Sequence, residues 1–289
     1  MRVGTKLIAR SLAGAALLLG LAGLAVMTPG LAASEGGTLT IPLDPPPPPP
    51  PMPGVAGPAG APLVVIDAGH GGYDLGAKAA TGEQEKDLTL AVARSVRDAL
   101  ARHGRVRVAL TRSDDRFLAL RERYEMARKL GASLFLSIHA DSAGDDQEAH
   151  GATLYTLSEV ASDAEAAALA NRENKADIVR GVNLSGRPEA VTSILIDLAQ
   201  RESLENAAAF TDQIHREAQS VLPFRRDFHR KAALVVLKAP DVPSVLLETG
   251  YITNDADRGL LSSQDGRARV GAAVARAIEI HFARRFAQR

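Results

Sequence analysis

Apolar and polar positions fall in blocks along the chain, and the period changes from block to block. Leu63 to Ile66 is an unbroken apolar run that leads into Asp67-Ala68-Gly69-His70-Gly71-Gly72, the pattern of a buried strand feeding a Gly-rich loop. Leu88, Val92, Val96 and Leu100 recur at every fourth position and predict an amphipathic helix. Arg105 to Thr111 alternates as a strand, and Leu118 to Leu130 reads as a second amphipathic helix. Leu134 to Ile138 is another buried strand, followed by His139-Ala140-Asp141. Further strands are predicted at Gly151–Thr156, Ala233–Leu237 and Val245–Leu247, with a closing helix over Gly266–Arg285. Strands alternating with helices predict an α/β fold: a twisted, mostly parallel sheet flanked by helices, with its chemistry at strand ends.

Two regions break the alternation. From about residue 159 to 222 the chain is rich in Ala, Glu and Asp and helical in period, with Ile194, Leu195, Leu198, Phe210 and Ile214 as apolar points and a turn at Asn183–Pro188. It reads as a helical insertion between two strands. At the other end, Arg2, Lys6 and Arg10 precede an apolar run from Leu12 to Met27, and Gly30 and Ala32 supply small residues for cleavage. Residues 1–33 therefore read as a secretory signal, and the sixteen-residue run is short for a bilayer span. No stable membrane anchor is expected once it is removed. Residues 34–62 contain the unbroken proline run Pro45–Pro51 and read as a semi-rigid polyproline spacer. Residues 63–289 are left as one catalytic-sized domain able to bury a large core.

Composition narrows the chemistry. The 289 residues include no cysteine, which removes disulfides, thiolate nucleophiles and Cys-ligated metals together. Any metal must be held by His, Asp and Glu. Lys+Arg and Asp+Glu are 34 each, so no nucleic-acid footprint is indicated; without the three signal cations the chain carries 31 basic and 34 acidic residues, a formal charge of −3. With no tryptophan and only 4% aromatic residues, a sugar-stacking platform is a poor fit.

His70 and His139 each follow a buried strand, where the backbone is fixed and the ring stands at the sheet rim. With Glu85 they make two imidazoles and one carboxylate, a donor set that suits a catalytic zinc with an open position for water. A lone strand-end histidine is more often structural, and position alone leaves both readings open. Glu248, after the apolar run Val245–Leu247, is placed to take and return a proton.

The stretches Val64-Val65-Ile66-Asp67-Ala68-Gly69-His70-Gly71-Gly72, Glu85-Lys86-Asp87, Ser137-Ile138-His139-Ala140-Asp141 and Leu247-Glu248-Thr249-Gly250-Tyr251-Ile252-Thr253-Asn254 closely resemble the zinc-dependent N-acetylmuramoyl-L-alanine amidases of bacterial cell walls. The resemblance implies a periplasmic enzyme of daughter-cell separation that cuts peptidoglycan between N-acetylmuramic acid and the L-alanine of the stem peptide. One Zn2+ would be held by His70, Glu85 and His139, with Glu248 as base and then acid. Asp67 and Asp141 are candidates for orienting the histidines from behind, although Asp141 also reads as part of an exposed acidic loop through Asp145, Asp146 and Glu148. The remaining histidines, His103, His150, His215, His229 and His281, match no ligand motif.

Several Gram-negative members of that family carry a helical insertion, between the second zinc His and the catalytic Glu, whose acidic side chain plugs the zinc until a LytM-type activator protein releases it. Asn171-Arg172-Glu173-Asn174-Lys175-Ala176-Asp177 and Ile194-Leu195-Ile196-Asp197-Leu198 resemble that segment, with Glu173 as the first choice for the plug and Glu202 as the second. An exposed helix with scattered acids is the alternative. Many members also carry an N-terminal β-rich targeting domain, for which the residues between signal and core leave no room. Two other functions share these residues: an inactive amidase fold that binds peptidoglycan, and a zinc peptidase acting on stem peptides.

Overall fold

A computed structural model describes residues 49–287 except 145, 147 and 181–193, and gives the backbone only at 178–180 and 194–198. The expected signal, the spacer up to residue 48, Asp145, the turn at Asn183–Pro188 and the apolar points Ile194, Leu195 and Leu198 lie outside the described residues or side chains. The described residues form one compact unit.

Three runs are buried at every position: β1 (Leu63–Ala68), β3 (Leu134–His139) and β6 (Ser244–Glu248). Burial on both faces is what a central parallel strand requires, and these three stand side by side. With β2 (Arg107–Leu110), β4 (Ala152–Leu157) and β5 (Phe224–Ala232) they make a six-stranded sheet in the order β2-β1-β3-β6-β4-β5. The first four run parallel, β4 runs antiparallel to β6, and β5 pairs parallel with β4. The starts of β4 and β5 therefore lie at the same rim as the ends of β1, β3 and β6.

Helices α1 (Glu85–His103), α2 (Leu120–Lys129), α3 (Ala164–Glu173), α4 (Ile194–Ala218), α5 (Asp255–Ser262) and α6 (Gln264–Ala287) cover both faces. One core packs Val92, Val96 and Leu100 of α1 with Phe210 and Ile214 of α4 and Val274 and Ile278 of α6. The other packs Leu120 and Ala127 of α2 with Ala166, Leu169 and Ala170 of α3 against Val65, Phe135 and Leu246 of the sheet. The insertion between β4 and β5 thus straddles the sheet, with α3 on one face and α4 on the other.

Three elements differ from the pattern-based expectation. Ala233–Leu237 is not a strand: the strand ends at Ala232, and Val235–Leu237 is a 3-10 turn whose side chains close the α2 face. The actual strand, Phe224-Arg225-Arg226-Asp227-Phe228-His229-Arg230-Lys231-Ala232, is a polar edge strand with no apolar alternation to reveal it. Helix α5, capped by the Asn254 side chain on Ala256 and Asp257 N–H, is also additional.

Candidate metal centre

The loop after β1 delivers His70 in an unusual backbone state. Its φ is 59°, the left-handed region that non-glycine residues rarely enter, and it is the one such residue among those described. Two buried guanidiniums hold it there. Arg123 donates to the carbonyls of Ala68 at 2.7 Å and His70 at 2.9 Å, while Arg112 donates to those of Ala68 at 2.9 Å, Gly69 at 2.8 Å and Lys86 at 2.8 Å. Burial and the neighbouring Arg123 charge lower the Arg112 pKa to about 10, which still leaves it charged at neutral pH.

With the backbone fixed, the ring is fixed next. His70 Nδ1 lies 3.0 Å from Asp74 Oδ2, so the other nitrogen, Nε2, faces inward. His139, the last residue of β3, stands with its ring centroid 4.8 Å from that of His70 at an interplanar angle of 77°. Glu85 opens α1, and its two oxygens accept from Ala77 N–H at 2.8 Å and Ala140 N–H at 2.9 Å. Gly76 is required here: its φ is +64°, and a Cβ would stand 2.6 Å from both Glu85 Oε2 and His70 Cδ2.

Four donor atoms converge. Glu85 Oε1 is 3.1 Å from His70 Nε2 and 3.2 Å from His139 Nδ1. Glu173 Oε2, from the last residue of α3, is 3.5 Å from His70 Nε2 and 3.2 Å from His139 Nδ1. The ligand atoms of His70, His139 and Glu173 all lie within 4.8 Å of one another. A tetrahedral zinc with bonds of about 2.0–2.1 Å keeps its donors about 3.3 Å apart, so these separations fit such an ion. His70 Nε2 is buried without a hydrogen-bond partner, as a metal ligand would be.

Charge points the same way. Burial opposes ionisation of His70, yet the Glu85 and Glu173 carboxylates and the Asp74 contact raise its pKa well above the imidazole range. Burial also opposes the Glu85 carboxylate, and the two histidines pull its pKa well below the usual value. Glu248 sits beside this cluster, paired in register with His139, and its Oε2 accepts from Asp141 N–H at 2.9 Å while Oε1 is buried and unpartnered. Burial, then the carboxylates of Asp141, Glu85 and Glu173, push the Glu248 pKa well above the carboxylate range. Burial likewise raises Asp141 to about 6 against the pull of Arg172. A pocket with this excess of carboxylates is one a divalent cation neutralises.

The structure thus brings together His70, Glu85, His139, Glu248 and Glu173. It separates Glu202, whose carboxylate faces Arg285 at 3.6 Å beside Pro62, Ser133 and Pro243, the residues that precede β1, β3 and β6 at the opposite end of the sheet. Neither expected orienting aspartate bonds a histidine. Asp67 binds Arg123 at 3.0 Å, Thr111 at 2.6 Å and Ser137 at 2.7 Å; although burial opposes its charge, these partners lower its pKa. Asp141 is buried rather than part of an exposed loop, and it accepts from Arg172 of α3 at 2.6 Å. The orienting carboxylate is Asp74, four residues beyond His70 and unremarkable in sequence.

The family described as N-acetylmuramoyl-L-alanine amidase matches residues 64–280. The chain is 40% identical over 221 residues to N-acetylmuramoyl-L-alanine amidase AmiA of Salmonella typhimurium, covering 76% of each chain. It is 32% identical over 240 residues to N-acetylmuramoyl-L-alanine amidase AmiC of Escherichia coli O6:H1, covering 83% of this chain and 57% of that one. Among solved structures, the catalytic domain of CwlV, an N-acetylmuramoyl-L-alanine amidase from Bacillus (Paenibacillus) polymyxa var. colistinus, aligns with a TM-score of 0.57 at 27% identity over 77% of this chain and 98% of that one. Amidase AmiC2 of Nostoc punctiforme aligns with a TM-score of 0.55 at 28% identity, over 80% and 100%.

Proposed function

The chain belongs to the N-acetylmuramoyl-L-alanine amidases, enzymes acting on peptidoglycan, and from that premise we propose that it is a periplasmic zinc amidase that rests in a self-inhibited state and is switched on during cell separation. The observation that carries this reading is the convergence of His70 Nε2, His139 Nδ1, Glu85 Oε1 and Glu173 Oε2 on one buried point beside Glu248. The first three would hold the metal. When bound, zinc supplies Lewis-acid polarisation of the scissile carbonyl and activates a water at neutral pH.

This chain's own residues do the rest. Asp74 and the loop carbonyls held by Arg112 and Arg123 orient His70. Asp141 N–H fixes one oxygen of Glu248 and leaves Oε1 free to accept a proton from the attacking water and deliver it to the departing L-alanine nitrogen. Glu173 would occupy the position left beside a bound ion, keeping water and the scissile carbonyl out until α3 withdraws. The export pattern of residues 1–33 supports a periplasmic address, and a LytM-type activator is the partner that would bind the withdrawn form.

Purified protein incubated with isolated sacculi tests this. Zinc-dependent release should stop with a chelator and with Glu248→Ala, and mass spectrometry should find new free L-alanine amino termini. Glu173→Ala should raise basal release several-fold. Release that survives chelation, or fragments cut between stem residues instead, would overturn the proposal.

A further inference from the structure

Glu173 is not the only carboxylate that α3 presents near the rim. Two turns earlier, Glu165 enters a basic cluster formed by the end strand and the segment after β6. Arg225, at the start of β5, donates through Nη1 to Glu165 and to the Tyr251 hydroxyl, and through Nη2 to Glu165 Oε2 at 3.1 Å. Tyr251 donates in turn to Glu165 Oε1 at 3.0 Å, and Arg230 Nη1 stands 2.9 Å from Glu165 Oε2. Asp163, the cap of α3, adds a weaker contact 3.6 Å from Arg230 Nε.

The two sides of this cluster differ. Tyr251, in the segment after β6, is 4% exposed and the Arg230 side chain, in β5, 8%, whereas Glu165 is 43% exposed at the side chain and comes from α3. Withdrawal of α3 would strip two guanidiniums and a phenol of their carboxylate at once. Arg225 keeps 27% of its side chain exposed even under α3, so once uncovered it is a solvated guanidinium fork held in place by its neighbours, a geometry suited to another carboxylate. It also lies beside the chemistry: Tyr251 is three residues beyond Glu248, and Arg225 begins a strand whose start shares the catalytic rim.

The spacing suggests which carboxylate. Glu165 and Glu173 are eight residues apart, about 12 Å along a helix. An extended peptide covers that distance in three to four residues at about 3.3–3.6 Å each. A stem peptide carries a free carboxylate in that range on its third, diamino residue, and one nearer the scissile bond on its γ-linked glutamate. We propose that Arg225, Arg230 and Tyr251 form a subsite for a stem-peptide carboxylate, and that Glu165 occupies it in the resting enzyme as an internal substitute. This rests on the reading that α3 covers the metal centre and withdraws.

The test uses the full chain carrying Glu173→Ala, loaded with zinc, on four soluble muropeptides: both carboxylates free, either one amidated, or both amidated. Because Arg225 also holds Glu165, adding Arg225→Ala should loosen α3 and lower KM on the doubly amidated substrate, while raising the ratio of KM on the free substrate to KM on the doubly amidated one at least tenfold, with kcat within about twofold. The singly amidated substrate that behaves like the doubly amidated one identifies the carboxylate recognised. Adding Glu165→Gln instead should lower KM on the free substrate, because the internal competitor is gone. Calorimetry with the released stem peptide, free and doubly amidated, should show the same shift in the ratio of affinities. A simple latch predicts that both variants lower KM alike on free and amidated substrates; that result, an Arg225→Ala effect indifferent to amidation, overturns the subsite. Arg225→Lys, which keeps the charge but loses the fork, should fall between. A parent that cleaves none of the four overturns the metal-centre reading and the subsite falls with it.

Discussion

At the residue scale, the proposed metal donors are set by groups that stand behind them. His70 presents Nε2 because Asp74 holds Nδ1 at 3.0 Å. Such outer partners typically contribute 10–100-fold to metal affinity. Asp74→Asn should therefore weaken zinc binding by about that factor in a competition titration with a chelator, while circular dichroism stays unchanged; an unaltered affinity would remove Asp74 from the site. Donors and support were unequally legible in the sequence. His70, His139 and Glu248 announce themselves because each follows an apolar run that can only be a buried strand. Asp74, Arg112 and Arg123 sit in polar stretches, and what matters about them is which carbonyl or nitrogen they reach across the fold. Asp67 shows the opposite error: a carboxylate next to the motif that serves Arg123, Thr111 and Ser137 instead.

At the element scale, α3 is weakly seated. Its apolar stripe is Ala166, Leu169 and Ala170, and burying one leucine and two alanines stabilises by only about 3–5 kcal/mol. Polar contacts at both ends carry the rest, among them Arg172 to Asp141 at 2.6 Å next to the plug itself. Arg172→Ala should loosen the last turn and raise basal sacculus cleavage a few-fold without any activator; a lower or unchanged rate would show that this contact does not hold α3 shut. The helical period of this insertion was readable, but its path was not. Periodicity says nothing about which face of the sheet a helix joins, and the polar edge strand β5 gave no alternation to mark where the insertion ends. The apolar run Ala233–Leu237 was misleading for a related reason: it is buried, but as a 3-10 turn under α2.

At the scale of the whole molecule, the α4–α6 side of the core contains a titration hazard. His281 packs against Phe210 with ring centroids 5.1 Å apart, and burial, with the Arg285 charge adding to it, lowers its pKa to about 4. The unfolded ring titrates near 6.5, so between these values the unfolded chain holds a proton that the folded chain does not. Stability is then lost as pH falls from about 6.5 to 4, by up to about 3 kcal/mol from this residue. Urea midpoints at pH 7.5 and 4.5 should differ less in His281→Gln than in the parent; an equal difference would assign the acid sensitivity elsewhere.

The straddling insertion also sets the terms on which any activator must work. On the proposed reading Glu173 would be a ligand on a leash: α3 is tied through residues 158–163 to β4, and the same insertion continues to α4, packed on the other face. A tethered group of this kind competes at an effective concentration on the order of millimolar, whatever the concentration of enzyme. An activator of the kind proposed therefore could not dilute the inhibitor away; it would have to hold the helix off for as long as cutting is wanted. Once it dissociated, closure would be a first-order event, independent of any second molecule. Hydrolysis would then stop within the lifetime of a single complex, confining the enzyme to wherever its activator stands.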